Sequence, residues 1–124
     1  MSNSNSKLLE FFAHIPKLES DGSNWVIFKD HFLFATAAAS LKGHIGGIGK
    51  PPVAIPVVQI GTEPLTKEQK ETYQVLLTKW EMEENIIKQA IASLILDSLF
   101  IEVRRKETAL MMWDAVRDQR EKKS

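Results

Sequence analysis

Histidines and one adjacent pair of carboxylates are the side chains best suited to chemistry in this chain. His14, His31 and His44 share no spacing typical of a metal site, and no cysteine is present to complete one. Glu83 and Glu84 fall within a predicted helix, where adjacent residues point about 100° apart. They therefore cannot share a substrate proton as a general acid and base would. We predict surface or loop positions for the histidines, and a solvated helix face for the glutamates.

A glycine-rich stretch, residues 43–50, is the segment that could hold a phosphate. A Walker A loop needs glycine five positions before its Gly-Lys pair, and His44 occupies that position. The hydroxyl residue that would hold magnesium is replaced by Pro51, and a dinucleotide fingerprint would need a glycine at Pro52. The stretch therefore predicts a flexible helix exit, and we expect no cofactor.

Arg104, Arg105 and Lys106 form the strongest basic cluster. Flanking acidic residues, Glu102 and Glu107, reduce its net charge. The cluster could make a weak contact with nucleic acid or with an acidic partner. The alternative is a solvated turn between helices.

The composition of the chain excludes several classes of protein function. The chain has 124 residues, 16 basic and 16 acidic side chains, and no cysteine. A thiol nucleophile, a disulfide scaffold and a zinc knuckle are excluded, and zero net charge disfavours a dedicated nucleic-acid binder. No apolar run reaches the roughly 18–20 residues of a membrane span, and residues 1–6 lack the basic and apolar regions expected of a secretory signal. We expect a structural or interaction protein of the cytoplasm, not an enzyme, with neither a membrane nor a small-molecule partner.

Hydrophobic periodicity predicts an all-α fold, a small bundle of about four to six helices. The predicted helices cover residues 6–14, 25–40, 67–96 and 97–103, and a last helix follows Thr108. Ile15-Pro16 should stop the first helix, since a residue before proline avoids the helical region. Thr66-Lys67-Glu68-Gln69 fits a capping box at the start of the long helix. Residues 15–120 are predicted to form one domain, with residues 1–14 as an arm or short helix and residues 121–124 as a truncated tail. The truncation suggests that the chain belongs to a longer protein.

A long Gly/Pro loop, residues 46–65, is predicted to join the two helical parts. Its middle, residues 53–58, is apolar and β-branched, so a short strand or hairpin is the alternative there. Pro52 and Pro56 would confine such a strand to a sheet edge.

Two apolar stripes identify the predicted core. The first follows the second helix and comprises Trp25, Phe28, Phe32, Ala35 and Ala39. The second follows the long helix through Trp80 and is interrupted by Glu84, which predicts either a kink or ends that pack against different partners. The last helix adds Ala109, Met112, Trp113 and Val116. Large aromatic residues dominate small cores, so we predict core roles for all three tryptophans.

Five short motifs occur in order along residues 15–118. They are Pro16-Lys17-Leu18, Gly22-Ser23-Asn24-Trp25-Val26-Ile27-Phe28, Leu41-Lys42-Gly43-His44-Ile45-Gly46-Gly47, Trp80 with the later Ala90, Ile91, Leu94 and Asp97, and Thr108-Ala109-Leu110-Met111-Met112-Trp113-Asp114. This order resembles the N-terminal capsid region of Gag from copia-type LTR retrotransposons. Two positions depart from the family pattern: Phe28 replaces a tryptophan, and Gly46 replaces an acidic residue.

The resemblance implies a structural role. Gag capsid domains are helical and two-lobed, and they multimerise into virus-like particles that enclose the element's RNA. This chain corresponds to the first lobe, and the RNA-binding knuckle and the protease would lie downstream. The principal partner is then another copy of the lobe, with RNA bound mainly by the absent region. Trp25, Phe28, Trp80 and Trp113 correspond to family positions that hold the fold.

Assembly contacts are expected on the exposed faces of the helix 25–40 and at the ends of the helix 67–96. Lys29 and Asp30 lie outside the apolar stripe and are candidate interface residues. One alternative is a domesticated Gag-like protein, or another helical adaptor, that binds a peptide in a groove between helices. A small helical enzyme is a third possibility, and it would need polar residues inside the bundle, where Glu84 alone is out of place.

Overall fold

A computed structural model of the protein describes residues 4–45 and 66–121. Its helices are α1 (Ser4–Glu10), α2 (Trp25–Ala38), α3 (Lys67–Leu94), α4 (Asp97–Val103) and α5 (Ala109–Glu121), with a 3-10 turn at Lys42–His44 after α2. No strand occurs among these residues, and the predicted all-α bundle is confirmed. The predicted loop at residues 46–65, with its alternative of a strand or hairpin, lies outside the described residues.

The core is built from buried residues of α2, α3, α4 and α5 and of the segments that flank α2. All five residues of the predicted α2 stripe are buried, as are the four predicted for α5. Aromatic rings fill the centre, and Phe32 stacks on Trp113 with ring centroids 4.6 Å apart and planes 12° apart. Trp25 and Phe28 lie within 6.4 Å of the same Trp113 ring. These aromatic contacts join α2 to α5.

The N-terminal segment contributes to this core. Helix α1 ends at Glu10, five residues before the predicted stop at Ile15. The chain then turns so that Phe12 is buried, with its ring 5.2 Å from that of Phe32. Leu8 and Leu9 of α1 also pack against the core, so this segment forms a short helix joined to the rest of the domain.

Helix α3 begins at the predicted capping box. The Thr66 hydroxyl accepts the Gln69 N–H at 3.0 Å, and the Gln69 side chain accepts the Thr66 N–H at 2.9 Å. The helix continues through Glu84 without a break and ends at Leu94, two residues before the predicted end. All of its buried residues lie between Glu84 and Leu94, so its C-terminal part alone joins the core.

Helix α2 ends in a Schellman motif. The Leu41 N–H donates to the Thr36 carbonyl at 2.7 Å, and the Ser40 N–H donates to the Ala37 carbonyl at 3.1 Å. Ser40 has a φ of 62°, which places it in the left-handed region that favours glycine. The motif turns the chain back sharply, so the 3-10 turn that follows packs against α3.

Hydrogen bonds in the loop before α2 explain the roles of three motif residues, Lys17, Leu18 and Asn24. Asn24 occupies the helix N-cap position, but its side chain makes no capping bond. Its oxygen accepts the Glu19 N–H at 2.8 Å, and its amide donates to the Lys17 carbonyl at 2.9 Å. Leu18 is buried, and its N–H donates to the last carbonyl of α3, at Leu94 (2.8 Å). The loop is thus fastened to itself and to the end of α3.

Candidate functional site

A buried polar cluster joins the 3-10 turn to α3 and α5. His44 Nδ1 lies 2.7 Å from Glu84 Oε2, and His44 Nε2 lies 2.9 Å from Glu83 Oε1. The second carboxylate oxygen of Glu84 accepts the N–H of Ala109, the first residue of α5, at 2.8 Å. His44 and Glu84 are only 3% and 4% exposed. One carboxylate thus binds an imidazole and a helix N-terminus, where negative charge is favourable.

Electrostatics favour the charged forms of this cluster. Burial by itself would lower the pKa of His44, but hydrogen bonds with Glu84 and Glu83 outweigh it and raise the pKa above the ordinary 6.5. Burial would likewise raise the pKa of Glu84, but its bonds with His44 and the Ala109 N–H lower it below 4.5. An imidazolium that donates from both nitrogens is therefore the state that the fold stabilises.

Two sequence predictions are wrong here. His44 is neither a surface nor a loop histidine in contact with water, and Glu84 is not part of a solvated face. The two glutamates do point in different directions, but His44 fits between them and contacts one with each nitrogen. The interruption of the α3 stripe at Glu84 was the signal in the sequence, and a partner 40 residues away explains it. His14 and His31 are exposed, as predicted.

The geometry of the cluster suits a structural role. Both imidazole nitrogens are occupied by carboxylates, so neither is free to take a proton from a substrate. Within the described part of the chain, no group of His, Asp and Glu side chains is arranged to hold a metal ion. The cluster connects the 3-10 turn, α3 and α5 in place of an apolar contact.

The predicted core aromatics fall into two groups. Trp25, Phe28 and Trp113 are buried in the centre of the bundle. Trp80 departs from the prediction because it is only partly buried and stands outside the core, with its ring 6.1 Å from that of His44. Its indole N–H is shielded from solvent and has no hydrogen-bond partner.

A surface cleft of about 370 Å³ opens beside Trp80. Its walls are mostly polar and come from α3 and from the connection that precedes α5; they comprise Trp80, Glu81, Glu84, Asn85, Lys88 and Glu107. The Lys88 ammonium donates to the Glu107 carbonyl at 2.6 Å. The cleft is therefore a mostly polar groove with one aromatic residue, Trp80, in its lining.

Of the two predicted assembly residues, one is engaged within the fold. The Lys29 ammonium lies 2.8 Å from Glu121 Oε2 and 5.9 Å from the centre of the Trp25 ring. The same Glu121 oxygen accepts the Trp25 indole N–H at 2.9 Å. Glu121, predicted to begin the tail, is the last residue of α5 and holds that helix against α2. Asp30 is exposed.

The basic cluster occupies the connection between α4 and α5. Arg104, Arg105 and Lys106 are all exposed there, in the position that the sequence predicts for a solvated turn. The structure does not bring them together with the polar cluster or with Lys29 and Asp30 into one site.

The outer face of α2 exposes three large apolar side chains, which the sequence analysis did not identify. Phe34 is 73% exposed, Val26 65% and Ile27 58%, although the opposite face of the helix already supplies the core. A helix with apolar residues on both faces is typically covered on both. The signal was present in the sequence as the apolar residues at positions 26, 27, 33 and 34, which fall outside the core stripe.

Comparisons with known proteins found no match, whether among family models, curated proteins or solved structures. Among the helices of residues 4–45 and 66–121, none combines the length and apolar character needed to span a bilayer.

Proposed function

We propose that this chain is a structural domain that associates with copies of itself, as the first capsid lobe of a copia-type Gag protein that forms virus-like particles around element RNA. The outer face of α2 carries this proposal. Phe34, Val26 and Ile27 are large apolar side chains exposed on one helix, and exposed apolar groups of this kind are typical of a surface used in protein association.

The family motifs support the proposal because each has a physical role in positioning that helix. Leu18 and Asn24 fasten the loop before α2, and Gly22 has a φ of 72° with the Arg120 side chain lying over it. Trp113 stacks on the inner face of α2. Residues that the resemblance picks out thus support α2 from its inner side and from the loop before it.

The proposed partners are further copies of the lobe in the cytoplasm. RNA would be bound mainly by a downstream region, with Arg104, Arg105 and Lys106 as a weak additional contact. A near-neutral lobe suits repeated self-contacts, because copies with large like charges repel one another. In this proposal the domain binds and assembles, and it performs no catalysis.

The test is to express the longest reading frame that contains this chain and to examine the product by negative-stain electron microscopy and by nuclease protection. We expect particles that contain RNA. Monodisperse monomers at both low and high salt would refute the capsid function. The same frame with Phe34→Asp, a substitution at an exposed position of α2 that should leave the fold intact, should form fewer particles.

The second candidate is a helical adaptor that binds a peptide, and the cleft beside Trp80 favours it. Trp80 is the aromatic residue in the lining of this mostly polar cleft and could contact an apolar side chain of the peptide. Peptide-array binding that is lost in Trp80→Ala, with an unchanged far-UV circular dichroism spectrum, would support this function. Equal binding by the wild type and Trp80→Ala would exclude the cleft as the site.

A further inference from the structure

We infer that His44 is a protonation switch in the 3-10 turn: loss of one proton breaks its contact with Glu83 and keeps its contact with Glu84. Loss of the Glu83 contact loosens the turn on α3 while the bundle stays folded. The inference goes beyond the proposed function and does not depend on self-association, because every group in the switch belongs to one chain.

The surroundings of the imidazole ring carry the inference. His44 Nδ1 lies 2.7 Å from Glu84 Oε2 and Nε2 lies 2.9 Å from Glu83 Oε1, so both ring nitrogens meet a carboxylate oxygen. An ionised carboxylate only accepts hydrogen bonds, and a neutral imidazole has a single N–H to donate. The arrangement therefore needs the imidazolium, which donates from both nitrogens. Once a proton is lost, one nitrogen must face an anion with its lone pair.

Hydrogen bonds inside the cluster keep that proton on the ring near neutral pH. Burial lowers the pKa of His44, but its bonds with the two glutamates raise it overall above the ordinary 6.5. The pKa of Glu84 is lowered below 4.5 in spite of burial, by His44 and by the Ala109 N–H, so this carboxylate is ionised at neutral pH. The contact with Glu83 is therefore present below the folded pKa of His44 and is lost as the pH rises through it.

The charged groups that act on this cluster lie on α3. The two glutamates act on the ring itself, and Lys88 acts on Glu84 from the next turn of the helix. Helix α5 contributes the uncharged Ala109 N–H. Lys42, on the same 3-10 turn as His44, is exposed. The proton on the ring is therefore held between two anions of a single helix.

Exposure to water decides which contact is lost. The Glu83 side chain is 21% exposed, so water can replace the imidazole as its donor, whereas the Glu84 side chain is 5% exposed. A buried carboxylate that loses a donor is destabilised more than one that water can reach. The remaining proton therefore stays on Nδ1, towards Glu84. This tautomer is distinctive, since neutral histidine in water carries its proton mostly on Nε2.

The turn can loosen without unfolding the bundle. Leu41 and Ile45 flank it and are only 1% and 4% exposed, so both of its ends are anchored in the core. Between them, the His44 N–H donates to the Leu41 carbonyl at 3.0 Å, and the Ile45 N–H donates to the Lys42 carbonyl at 3.2 Å. Hydrogen exchange at these two amides therefore reports how firmly the turn is held.

The tautomer of His44 tests the switch without any substitution. Two-bond ¹H–¹⁵N correlation spectra of the full chain distinguish the imidazolium from the two neutral tautomers, and the titration starts at about pH 6. We expect the imidazolium at first and the Nδ1–H tautomer after the transition, with an unchanged far-UV circular dichroism spectrum. A neutral ring protonated on Nε2 would overturn the inference, and so would an imidazolium that persists until the bundle unfolds.

Glu83→Gln should keep the turn closed at alkaline pH. The glutamine amide has both donors and an acceptor, so it can bond to Nε2 whether or not that nitrogen carries a proton. We expect a lower folded pKa for His44, because one of its two anions is gone. Above the wild-type transition, exchange of the His44 and Ile45 amides should be at least about tenfold slower than in the wild type at the same pH, the size of one hydrogen bond to a charged group. Below the transition this advantage should disappear.

Glu81→Gln is the matched control, since it removes the same charge from an exposed position two residues away on the same helix. Its amides should exchange as those of the wild type do on both sides of the transition. If Glu83→Gln exchanges as fast as the wild type above the transition, the Glu83 contact does not hold the turn and the inference is wrong. Equal protection in Glu81→Gln and Glu83→Gln would show an effect of net charge alone, which also overturns it.

Discussion

Removal of the Glu84 carboxylate should destabilise the bundle strongly, because it breaks the buried polar cluster. Glu84 binds His44 at 2.7 Å and the Ala109 N–H at 2.8 Å while only 4% exposed. Breaking a buried ion pair by deleting one partner costs about 3–5 kcal/mol. Because Glu83 still contacts His44, we expect Glu84→Ala to lie at the lower end, about 3 kcal/mol. Glu84→Gln keeps an acceptor for Ala109 and should cost about 1–2 kcal/mol.

The stability should also depend on pH in a defined direction. The pKa of His44 is raised, so its contribution is fully present below the ordinary 6.5 and is lost as the pH rises through the higher folded value. The pKa of Glu84 is lowered, so its contribution is present above 4.5 and is lost as the pH falls through the lower folded value. The cluster therefore stabilises the fold most between these two ordinary values. The loss on the alkaline side should be smaller in Glu84→Gln, where the carboxylate that favours the imidazolium is gone.

The assay is urea denaturation followed by far-UV circular dichroism at about pH 5.5 and about pH 8.5, on either side of the ordinary histidine pKa. Glu81→Gln is the control, since Glu81 is exposed on the same helix and should change the free energy of unfolding by less than about 0.5 kcal/mol. A double-mutant cycle of Glu84→Gln with His44→Asn should give a coupling energy of at least about 1 kcal/mol. Additive effects, or a Glu84→Ala variant as stable as Glu81→Gln, would refute the ion-pair reasoning.

Three further predictions concern the ends of α2 and α5. Ser40→Gly should raise the free energy of unfolding by about 0.5–1 kcal/mol, because glycine relieves a left-handed residue, and thermal melting should rise by a few degrees. Gly22→Ala should lower it by about 1–2 kcal/mol in urea denaturation, since φ is positive and the new Cβ would lie 3.3 Å from Arg120; an unchanged midpoint would contradict this. Glu121→Gln should lower stability by less than about 1 kcal/mol at neutral pH. Because hydrogen bonds from Lys29 and Trp25 lower the Glu121 pKa below 4.5, the difference between the melting temperatures of the two proteins should disappear as the pH falls through that folded value.

Local patterns in the sequence were sufficient to predict the helices and most of the core residues. The Thr66–Gln69 capping box and the Thr108 hydroxyl, which accepts the Met111 N–H at 3.1 Å, lie where their spacing predicts. The apolar stripes of α2 and α5 are buried as predicted. These features depend on residues three or four positions apart, and such distances are set by helix geometry alone.

What the sequence by itself determined is therefore an all-α bundle, its helix starts and the inward faces of α2 and α5. Tertiary structure decided which elements meet. The 3-10 turn brings His44 to Glu83 and Glu84 across about 40 residues, and Glu121 reaches Trp25 across 96. It also decided that the C-terminal part of α3 alone joins the core and that Phe34 is exposed. The physical reason is that burial and ion pairing depend on three-dimensional neighbours, and periodicity along one helix shows which side chains share a face but not what covers that face.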